Sequence, residues 1–81
     1  MTAPRFNASG GDVVWRPGSG PVVFLTIPEA RETSLHALDA AENAQIADDF
    51  TGFERAIALF YEINDAIRAA MRWRHAARID A

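Results

Sequence analysis

Between Thr51 and Arg74 the chain reads TGFERAIALFYEINDAIRAAMRWR, and no other stretch limits the possible folds so strongly. Phe53, Ala56, Ile57, Phe60, Ile63, Ile67, Ala70 and Met71 recur at spacings of three and four. At ~100° per residue that spacing gathers them on one side of a helix. Thr51 with Glu54 three residues on has the form of a capping box, which predicts the helix start. An apolar stripe this long must be buried, and Phe60 at its centre is the expected core anchor. The rest of the chain has to supply the cover.

What precedes the helix predicts strands first. Asp12–Arg16 and Val22–Ile27 are β-branched and aromatic runs separated by Pro17-Gly-Ser-Gly-Pro21, the pattern of a β-hairpin with a five-residue loop. Met1–Gly11 is rich in Pro, Asn, Ser and Gly and reads as a flexible N-terminal arm with Phe6 as its one anchoring residue, leaving residues 12–81 as a single small domain. Thr26 and Glu29 form a second capping pattern, with Pro28 in the first turn. Thr33 or Ser34 is the preferred restart, followed by an alanine-rich helix over Leu35–Asp48. The fold class predicted is therefore α+β: an N-terminal β-hairpin, open to extension by a third strand, packed on a C-terminal helical hairpin with one long amphipathic helix.

At 81 residues the chain buries only ~60% of its unfolded surface, and with no cysteine it has neither disulfides nor thiolate metal sites to add stability. A hairpin and two helices also leave a sheet edge or a helix face uncovered, so a homo-oligomer, at least a dimer, is expected. No apolar run reaches membrane-spanning length and no secretory h-region is visible, so the expectation is a soluble, cytoplasmic protein with no membrane partner.

Charge is segregated along the chain. Residues 1–28 carry +1. Residues 29–54 carry −6, from Glu29, Glu32, Asp39, Glu42, Asp48, Asp49 and Glu54 against Arg31. Residues 55–65 carry −1, and residues 66–81 carry +3, from Arg68, Arg72, Arg74 and Arg78 against Asp80, for a total of −3. All eight cationic residues are arginine, which excludes Schiff-base and Walker-lysine chemistry.

The middle helix offers two candidate inner faces. Ala37, Ala40, Ala41, Ala44 and Ala47 share one side; Leu35, Leu38, Asp39, Glu42, Ile46 and Asp49 share the other. Side-chain size argues for burying the leucine side, with its carboxylates at the rim. The cost of bringing Glu42 and Asp49 toward apolar surroundings argues for leaving that side exposed as a partner-binding face.

Chemistry is sparse. Glu32, His36 and Asp39 have helical metal-ligand spacing but no second pair to complete a site, and Gly18-Ser-Gly20 lacks the helix that a phosphate loop needs. No cofactor, metal or catalytic residue is assigned, and the chain is not expected to be an enzyme. Arg72, Trp73, Arg74 and Arg78 combine cations with an aromatic and are the alternative nucleic-acid-binding residues. Direct binding of nucleic acid is disfavoured by the net negative charge, and the same cations complement a helix C-terminus. Arg74, on the apolar stripe, is expected to end the buried segment or pair with a carboxylate, and Asn64 near that stripe to set register in a helix interface.

A small acidic chain carrying the run Asp39, Glu42, Asp48, Asp49 and Glu54 and no catalytic motif resembles the inhibitors encoded by phages and mobile elements, anti-CRISPR proteins among them. That resemblance implies a non-enzymatic module binding a basic, nucleic-acid-handling protein. The alternatives are an antitoxin or small regulator contacting DNA through Arg72–Arg78, and a small oligomeric enzyme or enzyme subunit.

Overall fold

A computed structural model describes residues 5–18 and 20–79. It is a three-stranded antiparallel sheet followed by two helices: β1 (Arg5–Ser9), β2 (Asp12–Arg16), β3 (Val23–Leu25), α1 (Ile27–Ile46) and α2 (Phe50–Ile79), with strand order β1-β2-β3. The α+β class, the hairpin, the helical pair and the single long helix are as the sequence predicts.

The third strand comes from the segment expected to be a flexible arm. Arg5–Ser9 pairs along its whole length with β2, Phe6 facing Trp15 and Ser9 facing Asp12. Gly10 and Gly11 form the two-residue connection, and Gly10, at φ +60°, takes the left-handed conformation that tight hairpin turns require. Phe6 and Trp15 stack with ring centroids 5.9 Å apart on the inner face of the sheet. Residues 1–4 of the expected arm lie outside the described residues. β3 is shorter than its predicted run, because Val22 stays outside the ladder and Thr26 is taken as a helix cap.

α1 starts at that cap and does not restart. The Thr26 hydroxyl accepts from the Glu29 N–H, and the Glu29 carboxylate accepts from the Thr26 N–H at 3.0 Å, a complete capping box. Thr33 and Ser34, the expected caps of a second helix, instead donate their hydroxyls back to the Glu29 and Arg31 carbonyls within one continuous helix. The turn into α2 is equally well closed. Asp48, at φ +58°, occupies the left-handed position of a Schellman motif in which its N–H donates to the Gln45 carbonyl and that of Asp49 to Ala44. Asp49 then caps α2, its carboxylate accepting the Gly52 N–H at 3.0 Å. The helix thus begins at Phe50 on an Asp49 cap and not at the Thr51–Glu54 pattern.

Phe6, Val13, Ala30, Ile63, Ala66, Ile67 and Ala70 form the buried core, with Trp15, Leu25, Ile27 and Leu59 packed against it. The buried side of α2 is rotated from the predicted stripe: Ala66 and Leu59 face the sheet, whereas Phe60 is only half-buried and Ile63 takes the anchoring position. In α1 most of the burial falls on the small side, although Ala40 and Ala47 of the predicted alanine face are exposed and Leu38 of the opposite face is half-buried. Ala30, Ser34, Ala37 and Ala41 are buried, and the leucine side, which size favoured as core, faces out. Small side chains let the helix axes approach closely, so burial follows from access to the partner helix and not from the size of the residue.

Candidate interaction surfaces

Three surfaces carry the residues singled out by the sequence, and the structure does not treat them alike. The first is the side of α1 turned away from α2. Leu35 is 57% exposed and Ile46 85%, with Asp39 and Glu42 exposed on the same stripe and Leu38 half-buried at its margin. Asp49 is also exposed, at the helical turn, where its carboxylate is engaged as the α2 cap. Phe50, 71% exposed, extends the apolar surface around this turn and shares a small concavity with Ala44, Gln45, Asp48 and Phe53. Among the described residues the one ion pair is Arg74–Asp12, so the carboxylates of Asp39, Glu42, Asp48 and Asp49 carry their charge outward without a cationic neighbour.

The second is the arginine-rich end of α2. Arg72, Trp73, Arg74 and Arg78 are exposed, but two of them are committed within the molecule. Arg74 donates from Nε to the Gly11 carbonyl at 2.6 Å and from a terminal guanidinium nitrogen to Asp12 at 3.2 Å. Trp73 lies over the same turn: a Cβ placed on Gly10 would sit 3.8 Å from its indole ring. Arg74 therefore pairs with a carboxylate, and the sequence distance between the partners explains why the partner was not visible beforehand. This clamp fixes the β1–β2 turn against α2.

The third was not visible in the sequence. An open groove of about 1020 Å³ runs between the sheet and the helices, walled by Phe6, Trp15, Thr33, Ala58 and Leu59, with Arg5, Arg55 and Glu62 at its rim. It exists because β1 supplies Phe6 and Arg5, and so depends on the strand hidden in the polar N-terminal segment. Elsewhere the chemistry is thin. Among the described residues no group of three His, Asp or Glu side chains could hold a metal, and Glu32 and His36 are exposed. Gly18 and Gly20 lead into β3 and not into a helix, and Ser19 lies outside the described residues. No helix is long and apolar enough to cross a membrane. Glu29 is the one titratable group clearly displaced: the Thr26 backbone N–H and then its hydroxyl hold the carboxyl below its ordinary value, a structural effect of the cap.

Comparison with protein-family models, with curated proteins and with solved structures finds no match to this chain.

Proposed function

We propose that this protein is a non-enzymatic interaction module, acting in the cytoplasm, whose outward α1 face binds a basic protein that handles nucleic acid. The observation that carries the reading is the exposure of Leu35 and Ile46 on one helical stripe with the unpaired carboxylates of Asp39 and Glu42. Such a surface combines an apolar centre that supplies affinity with a charged surround that steers and orients a cationic partner. The reading agrees with the resemblance to inhibitors of phage and mobile-element type. The engagement of Arg74 and Trp73 by the β1–β2 turn weighs against DNA contact through Arg72–Arg78. Self-association is the second part of the reading, through the sheet edge or helix face that a small sheet and two helices leave uncovered.

The test is binding by the intact protein and by two variants. Capture on the immobilised chain should yield a stoichiometric complex with a basic protein. The triple variant Asp39→Asn, Glu42→Gln, Asp49→Asn should slow association and flatten its salt dependence; Asn still caps α2, so folding is preserved. Leu35→Ala should mainly speed dissociation. Duplex DNA binding with a steep salt slope, or turnover of a substrate, would replace this reading with the regulator or the enzyme.

A further inference from the structure

The groove between the sheet and the helices has no part in the α1 reading, and neither Leu35 nor Ile46 lines it. Its sheet residues, Arg5, Phe6 and Trp15, all belong to the end of the β1–β2 ladder away from the Gly10–Gly11 turn. Arg5 faces Arg16 on the last rung there, and Phe6 faces Trp15 on the rung before it. From α2 come Arg55, Ala58, Leu59 and Glu62, at spacings of three, one and three. They form one stripe of about two turns, ~10.5 Å from Arg55 to Glu62 along the helix. At about 1020 Å³ the groove is at the upper end of the ~300–1,000 Å³ of small-molecule sites, and Phe6, Trp15, Ala58 and Leu59 make its walls mainly apolar.

The charges at this end of the sheet are complementary to an anion. Arg5 and Arg16 stand directly opposite each other in the ladder, and like charges so placed repel. Arg55 adds a third guanidinium at the groove rim. Among the described residues none of the three enters an ion pair or a side-chain hydrogen bond, whereas Arg31 and Arg74 do. A carboxylate accepts two parallel bonds from one guanidinium, a geometry that suits these rim positions. Glu62 is the one carboxylate on the rim, and with the net charge of −3 it disfavours a dianion or a polyanion.

We infer that the groove binds an apolar monocarboxylate of the fatty-acid class, its chain along Phe6, Trp15 and Leu59 and its carboxylate held by Arg5 and Arg55. The apolar walls supply affinity in proportion to the area they cover, and the arginines fix which end of the ligand lies at the rim. An extended chain can follow an open groove built from four elements, β1, β2, α1 and α2, where a compact ring would touch fewer of them. The outward α1 stripe of Leu35, Asp39 and Ile46 stays open to its own partner while the groove is filled.

Calorimetric titration of the intact chain with dodecanoate, below its micelle concentration, should show saturable binding. Dodecanol and dodecyltrimethylammonium keep the chain and lose the anion, and each should bind about 10-fold more weakly or worse. Arg55→Gln, at an exposed helical position, should weaken dodecanoate about 10-fold with an unchanged thermal midpoint, and Arg5→Gln should act in the same direction. Glu62→Gln should tighten binding, a change of sign that damage to the fold would not produce. The chain has two tryptophans, so Trp73→Phe leaves Trp15 as the reporter, and its emission should move to the blue as dodecanoate fills the groove. Absence of saturable binding, equal binding of dodecanol, or indifference to both arginine variants would overturn the inference. A Trp15 emission that shifts with protein concentration alone would place a second copy on the groove and overturn it as well. All of these results would leave the α1 partner reading standing, because that face shares neither Leu35 nor Ile46 with the groove.

Discussion

The two ends of the helical pair are built on opposite terms. At the sheet-backed end, Phe6 and Val13 close over Ala30, Ile63, Ala66 and Ala70, and the β1–β2 turn is held by Arg74 and Trp73. At the free end, Ala37 and Ala41 are the buried residues of α1, and the large apolar side chains, Leu35, Ile46 and Phe50, stand outside. The longest dimension of the molecule, 50 Å, is close to the length of the 30-residue α2 at ~1.5 Å per residue. One end buries Phe6, Val13 and Ile63 together with its alanines, and the other buries Ala37 and Ala41 and leaves Leu35, Ile46 and Phe50 exposed. The two closely spaced caps at Asp48 and Asp49 let the free end hold its shape without a third layer.

Mutations should reveal that difference most strongly at the sheet-backed end. Ile63→Ala removes the largest fully buried side chain of α2 and should cost about 2–5 kcal/mol, read as a lowered denaturation midpoint, enough to unfold a domain of this size. At the free end the sensitivity should be to added bulk. Ala41→Leu places a large side chain where α1 meets α2 closely and should cost about 1–3 kcal/mol, read as a lowered denaturation midpoint.

Smaller effects sharpen the comparison. Thr26→Ala opens the α1 capping box and should cost ~1 kcal/mol at neutral pH. Because the cap lowers the Glu29 pKa in the folded state, its stabilisation is complete above the unfolded value near 4.5 and is lost as pH falls through the folded value. The gap between wild type and Thr26→Ala should therefore narrow in acid by the share due to the hydroxyl-to-carboxylate bond, in paired pH titrations of stability; the backbone bond to Glu29 is kept in both and the bond from the Glu29 N–H to the hydroxyl does not titrate. Gly11→Ala would bring a Cβ to 2.8 Å from Arg74 and should release the arginine from the turn at a cost below ~1 kcal/mol, since the ion pair is half exposed; NMR shifts of Trp73 and Arg74 would report it.

The same division explains what could be read from the sequence. Periodicity located both helices and the β2–β3 hairpin, because those elements carry their own apolar pattern. β1 was hidden because Arg5–Ser9 holds one large apolar residue, Phe6, and its strand character comes from pairing with β2. The α2 stripe was wide enough to hold two contacts: Phe53 and Met71 lie toward α1, beside Ala44 and Arg31, while Leu59 and Ala66 pack into the core beneath the sheet, and only the positions of both partners decide which part is fully buried. In α1, side-chain size pointed to Leu35 and Ile46 as core, and close helix approach reversed it. The six residues first grouped as a binding face, Leu35, Leu38, Asp39, Glu42, Ile46 and Asp49, are placed together by helical spacing and the turn, with Leu38 partly withdrawn and Asp49 serving as a cap.

The central claim is that the large apolar residues of the free end contribute to contact and not to folding. Its most direct test is chemical denaturation of the double variant Leu35→Ala, Ile46→Ala beside wild type. The account predicts midpoints within about 0.5 kcal/mol of each other, as for exposed surface positions. A loss of 2 kcal/mol or more, of the order expected for Ile63→Ala, would place these side chains in the core and contradict it.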